Sequence, residues 1–97
     1  MITELATFDI IEGKQSAFEA DFKAKALDII SRAEGFIEAE IQQCIETPTK
    51  YVLHVKWRTL LDHTKGFRQS DLFKDWRAVL SPYFNTAPVA EHYVKIS

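Results

Sequence analysis

The spacing of apolar residues restricts the fold of this 97-residue chain more than any other feature of its sequence. Apolar and polar residues alternate in four segments, which predicts β-strands over residues 2–11, 36–46, 51–58 and 88–96. Elsewhere the apolar residues recur every three to four positions, which predicts helices over residues 14–33 and 60–80. We expect the second helix to consist of two pieces joined at Gly66 and to stop at Pro82.

The order strand, helix, strand, strand, helix, strand predicts the fold class. Because connections are short and right-handed crossovers are favoured, we expect a ferredoxin-like βαββαβ fold of the α+β class. One domain over residues 1–97 then carries two helices on one face of a four-stranded antiparallel sheet. Ile37, Ala39, Ile41 and Ile45 are expected to share one face of the second strand.

Apolar residues also occur on the opposite faces of several predicted strands. One pair of helices buries only one face of a sheet, and a small chain should not leave a second apolar face in water. We therefore expect a homodimer in which two sheets pack against each other.

Composition excludes several other partners and locations. The net charge is −2, which argues against binding to nucleic acid or to an anionic membrane surface. No apolar run is long enough for a transmembrane helix, and the first residues lack the basic and apolar regions of a signal peptide. The single Cys44 cannot form an intrachain disulfide. These features predict a cytoplasmic protein.

No strong catalytic motif is present, so candidate residues rest on residue type and placement. His63 and Phe67 are four positions apart near Gly66, and an imidazole beside an aromatic surface suits a flat phenolic molecule. His63 and His92 are the candidate bases. The predicted walls of the substrate site are Trp57, Phe67, Phe73, Trp76 and Phe84, and Arg77 is a candidate for binding an anionic group. The alternative is that these aromatic residues are ordinary core and that His63 only packs or caps.

A metal site is not expected, because the three histidines lack close ligand spacing. Cys44 is expected to be a small buried side chain rather than a nucleophile.

The stretch VKWRTLLDHTKGFRQSDLFKDWRAVLSPYF, followed by PVAEHY, resembles the antibiotic biosynthesis monooxygenase family. Members carry a Trp at the end of the third strand, as Trp57 is here, and a Ser-x-x-Phe step in the following helix, as in residues 70–73. The resemblance implies a homodimeric α+β barrel with a ligand cavity between the sheet and the helices of each subunit. It covers nearly the whole chain.

The same resemblance bears on activity. Some members oxygenate polycyclic phenols or quinols with O₂ and need no metal or flavin, so we expect no cofactor. Others degrade haem with an Asn, a Trp and a His, but Phe67 and Arg77 occupy those Trp and His positions here. Many other members carry a His where this chain has Phe67.

Two functions follow as hypotheses. The first is a cofactor-independent monooxygenase acting on a small aromatic substrate, with His63 or His92 as its base. The second is a dimer of the same fold that binds a small aromatic ligand, or serves as an accessory protein, without catalysis.

Overall fold

A computed structural model describes residues 1–97 and shows a four-stranded antiparallel sheet. The strands are β1 (Ile2–Asp9), β2 (Phe36–Gln43), β3 (Lys50–Trp57) and β4 (Val89–Tyr93). Their order in the sheet is β2-β3-β1-β4, so β1 and β3 are central and β2 and β4 are edges. The predicted ferredoxin-like α+β fold is therefore confirmed, although three strands end two or three residues earlier than expected.

The first helix, α1, spans residues 15–31 and packs its apolar stripe on the sheet. Its middle turn, Phe22–Ala26, is a π-helix, and the turns on either side are α-helical. Gly35 follows the helix with a φ of 83°, a conformation that favours glycine. The Asp62 side chain also occupies the space that a Cβ at Gly35 would need.

The second helical region has two pieces, as expected, but the joint is not at Gly66. Asp62–Phe67 form a π-helix that contains Gly66, and α2 (Asp71–Leu80) begins only after a break. Ser70 caps α2, because its Oγ accepts a hydrogen bond from the Phe73 N–H at 3.3 Å. The break therefore follows from this cap, and the expectation for Gly66 was wrong.

A bulge between Phe36 and Glu38 shifts the register of β2 against β3. Phe36 therefore shares the helix-facing side with Ala39 and Ile41, whereas Ile37 is exposed. The expectation that Ile37 and Ile45 share a face with Ala39 and Ile41 was wrong for this reason. Ile45 lies beyond the end of the strand and is 92% exposed.

The core lies between the sheet and the helices. Central β1 and β3 supply Ala6, Phe8, Tyr51, Leu53, Val55 and Trp57, and the helices supply Phe18, Phe22, Ile30, Trp76 and Leu80. The opposite side, called the outer sheet face here, carries Leu5, Val52, Val89 and Tyr93 among polar residues. No helix in the chain combines the length and the apolarity needed to cross a membrane.

Candidate functional site

A cavity of about 440 Å³ lies between the sheet, the second helical region and the segment that leads into β4. An isolated bridge between Ile10 and Phe84 holds the start of that segment beside β1. Aromatic rings form much of the wall, from Phe8, Phe67, Phe73, Trp76 and Phe84. The volume and the apolar lining are those of a site for a small organic ligand.

One end of the cavity is polar, and its central group is the Glu4 carboxyl. Glu4 lies on the helix-facing side of β1, between Ile2 and Ala6, and is only 6% exposed. Its Oε1 accepts a hydrogen bond from the Trp57 indole N–H at 3.0 Å. The His63 Nε2 lies 3.3 Å from the same oxygen. A buried carboxyl therefore faces the cavity, and one of its oxygens has two nitrogens as close neighbours.

His63 joins this carboxyl to a second histidine. The His63 Nδ1 lies 2.7 Å from the His92 Nε2, which is a hydrogen bond whichever ring carries the proton. The β-sheet register explains why His92 lies near Glu4 and His63, because Glu4 and His92 are directly opposite each other on β1 and β4. Each nitrogen of His63 thus has a polar neighbour, and the residue is 3% exposed.

Burial dominates the protonation of these three groups. It raises the pKa of Glu4 above its usual value, against the opposing effects of the Trp57 hydrogen bond and the Arg68 charge. Burial, aided by the charges of Arg68 and His92, lowers the pKa of His63 to about 3. Burial and Arg68 also lower the pKa of His92. His63 is therefore a neutral imidazole near neutral pH, and its 3.3 Å contact with Glu4 is a close polar contact rather than an ion pair.

Two histidines and a carboxylate are also the ligands of many iron sites, but here they bond to one another in a row. The His63 Nδ1 is hydrogen-bonded to His92, and its Nε2 faces Glu4. No group of three or more His, Cys, Asp and Glu side chains in the chain is arranged to hold a metal ion.

Two arginines line the cavity, and neither forms an ion pair with a carboxylate. Arg68 follows the π-helix, and Arg77 lies on α2. The Arg77 Cζ is 5.9 Å from the centre of the Phe73 ring, which holds the guanidinium over an aromatic wall. Both cations are available to an anionic group on a ligand.

The structure brings together six of the eight residues predicted for the site, and they line the cavity: His63, Phe67, Phe73, Trp76, Phe84 and Arg77. Trp57 is fully buried behind His63 rather than in the lining. His92 lies outside the lining, behind His63.

Sequence reasoning missed Glu4 and the residues of the connection before β4. Cys44 is partly exposed at the end of β2 rather than buried, because the strand stops at Gln43. A signal for Glu4 did exist, since it is the one charged residue in the alternation Ile2, Glu4, Ala6, Phe8.

A βαββαβ chain with a cavity partly lined by aromatic rings between sheet and helices defines a small protein of the α+β class. Residues 1–79 match the sequence profile described as antibiotic biosynthesis monooxygenase, and the chain belongs to that family. The family resemblance inferred from the sequence is therefore confirmed.

Individual relatives agree with this assignment. The chain is 40% identical over 93 residues to YczJ of Bacillus subtilis strain 168, an uncharacterised protein, and covers 97% of it. A crystal structure from Bordetella bronchiseptica, whose assignment as an antibiotic biosynthesis monooxygenase is provisional, is 33% identical. It superposes with a TM-score of 0.94 over 99% of this chain and 97% of that one.

A more distant structure shares the fold alone. The monooxygenase of the ActVA-Orf6 gene of Streptomyces coelicolor, in complex with nanaomycin D, is 17% identical. The similarity has a TM-score of 0.82 and covers 99% of this chain and 88% of that one.

Proposed function

We propose that this protein is a cofactor-independent monooxygenase that acts on a small phenolic, quinol or polycyclic aromatic substrate with O₂. The observation that supports this most directly is the cavity itself, in which aromatic walls end at a buried carboxyl and imidazole pair. An apolar slot binds a planar ring, and one polar end accepts the proton that such a ring must lose. The Streptomyces coelicolor relative, in complex with nanaomycin D, supports the ligand class.

The binding mode follows from the placement of the lining residues. The ring of the substrate packs against Phe67, Phe73, Trp76 and Phe84, and its acidic end points toward Glu4 and His63. The charge of the deprotonated substrate is delocalised over the ring, where the cations Arg68 and Arg77 stabilise it.

The chemistry balances without an external reductant. A base at the polar end of the cavity, where Glu4 and His63 lie, removes a proton from an acidic CH₂ carbon of the substrate. The resulting carbanion adds O₂ to give a peroxide anion. That anion takes the proton back and eliminates water, so CH₂ becomes C=O and the substrate supplies all four electrons that reduce O₂. The protein binds, deprotonates and limits the access of bulk water.

We also propose a homodimer that pairs the outer sheet faces and works in the cytoplasm. Leu5, Val52, Val89 and Tyr93 are apolar or aromatic, and no helix of the chain covers them. The lone Cys44 forms no disulfide, which suits a reducing compartment.

The second candidate function is binding of a small aromatic ligand without catalysis. It is favoured by the surroundings of His63, whose Nδ1 is hydrogen-bonded to His92 and whose Nε2 lies beside Glu4 rather than toward an open site. In that case the cavity is a binding site, and the buried polar groups serve only to orient the ligand.

Oxygen uptake separates the two functions. The protein is incubated with anthrone and with quinols, aerobically and anaerobically, and binding is followed in parallel by quenching of tryptophan fluorescence. Catalysis predicts O₂ consumption above the buffer rate that disappears after heat denaturation. Saturable binding of anthrone without any O₂ uptake would favour the second function, and absence of binding would contradict both.

A further inference from the structure

The two oxygens of the Glu4 carboxyl are in different environments. Oε1 receives the indole N–H of Trp57 and faces the Nε2 of His63. Oε2 forms no side-chain hydrogen bond, yet no fully buried side-chain nitrogen or oxygen in the chain lacks a partner. Oε2 is therefore not sealed in the interior, and because Glu4 lines the cavity, this oxygen opens into it.

We propose that Glu4, rather than a histidine, takes the proton from the substrate, and that His63, His92 and Trp57 hold its other oxygen in place. The inference rests on the proposed monooxygenase function and names the base of that same site. Glu4 is then the catalytic residue, and the two histidines and Trp57 are positioning residues.

The direction of the hydrogen bonds supports this assignment. Trp57 can only donate, so Oε1 is an acceptor. A neutral His63 whose proton is on Nε2, 3.3 Å from Oε1, must accept at Nδ1, and the His92 Nε2 is 2.7 Å away to donate there. The Trp57 indole N–H and the His63 Nε2 both lie at Oε1, which leaves the lone pairs of Oε2 to the substrate.

The proton transfer is simple to balance. The C–H bond of the substrate breaks, its electron pair stays on the substrate, and an O–H bond forms at Oε2 as the negative charge leaves Glu4. After O₂ has added, Glu4 returns the same proton to the peroxide anion and becomes a carboxylate again. Burial of Glu4 favours its protonated form, which makes it a stronger base than a solvated carboxylate.

Glu4 is better placed than His63 to take the proton, in geometry as well as in basicity. A His63 that accepted the proton at Nδ1 would have to break its hydrogen bond to His92 and become a cation at 3% exposure. Glu4 needs neither change, since Oε2 is already free.

The test is a comparison of Glu4→Gln with the matched control Glu12→Gln, which lies in an exposed turn. Gln keeps the size and one acceptor oxygen but cannot take a proton. We expect Glu4→Gln to lower kcat for O₂-dependent turnover of anthrone by about 10²-fold or more, with anthrone binding changed less than about threefold. Glu12→Gln should match the wild type in both.

A second variant distinguishes a catalytic base from a carboxyl that is needed only for folding. Glu4→Ala leaves space in the cavity, and added formate should restore a substantial part of its turnover, whereas formate should not affect Glu4→Gln or Glu12→Gln. Turnover of Glu4→Gln above half the wild-type rate, or no rescue of a folded Glu4→Ala, would overturn this inference alone. Absence of O₂ uptake by the wild-type protein overturns the proposed monooxygenase and this inference with it.

Discussion

The imidazole of His63 stacks on the indole of Trp57, with ring centroids 5.1 Å apart and planes inclined by 18°. Both rings also direct a nitrogen to the same Glu4 oxygen. The stack fixes the plane of His63, and this plane decides which carboxyl oxygen the imidazole can reach. One aromatic contact thus sets the geometry of the polar end of the cavity.

Replacement of His63 by Gln tests its role as a positioning residue. Gln can still donate to Glu4 through its amide N–H but lacks the stack on Trp57, so we expect a folded dimer whose turnover of anthrone falls about tenfold. The rise of kcat/KM with pH should remain, because Glu4 is the titrating base. Loss of that pH dependence would instead identify His63 as the base. His54→Gln, on the outer sheet face, is the control and should retain wild-type turnover.

The pKa shifts predict how stability depends on pH. His63 has a pKa of about 3 when folded and 6.5 otherwise, so the unfolded chain binds more protons and stability falls on acidification from about pH 6.5. The raised pKa of Glu4 acts in the opposite sense, because its contribution to stability is lost as pH rises above 4.5.

From pH 4.5 up to the raised pKa of Glu4, these two effects therefore oppose each other in the wild type. Glu4→Gln should uncover the histidine effect, with a slope in the free energy of unfolding steeper than wild type by up to about 1.4 kcal/mol per pH unit. Urea denaturation at a series of pH values measures both slopes. Equal slopes in the two proteins would contradict the prediction.

Trp57 and Trp76 offer a matched pair of indoles. Both are buried, but only Trp57 donates its N–H to a side chain. Trp57→Phe should cost about 1–3 kcal/mol more stability than Trp76→Phe, since it leaves the buried Glu4 without its donor. Chemical denaturation of both variants measures the difference, and a cost at Trp57 no larger than at Trp76 would contradict the hydrogen bond's role.

The homodimer predicts a solution mass of about twice the chain mass of 11.2 kDa in light scattering. Leu5→Lys places a charge on the outer face of central β1 and should yield a folded monomer. Leu27→Lys, at a partly exposed position on α1, should leave the mass unchanged. A wild-type monomer at micromolar concentration would exclude the proposed pairing of sheets.

Haem should not be a substrate. Phe67 packs edge-on against Phe73 and Trp76, and Arg77 carries no atom that ligates iron. When haemin and a reductant are added, the Soret band should therefore disappear no faster with the native protein than with heat-denatured protein. Stoichiometric loss of that band only with the native protein would show the opposite.

The sequence was sufficient for the fold and for most of the cavity wall. Alternation and helical periodicity are local signals, so they identified the strands and the aromatic residues Phe67, Phe73 and Trp76. The bulge at Phe36 and the π-helix were not visible, because backbone irregularities of this kind depend on packing between elements.

The polar end of the cavity could be predicted only in part. His63 and His92 were both candidates, but nothing local indicates that residues 29 positions apart form a hydrogen bond. Glu4 and Trp57 are separated by 53 positions and meet only because β1 and β3 pair in the observed register. A buried charge on an apolar strand face was the available clue, and its partners required the tertiary structure.

The short edge strand β4 has a consequence for the lifetime of the assembled site. It pairs with β1 alone, over five residues, and carries His92 near its end. Strands of this kind open locally at a lower free energy than global unfolding. Each opening removes the hydrogen-bond partner of the His63 Nδ1, while Glu4 and Trp57 lie on the central strands. Hydrogen exchange at the backbone amides of β4 therefore measures how often the His63–His92 hydrogen bond opens in an otherwise folded molecule.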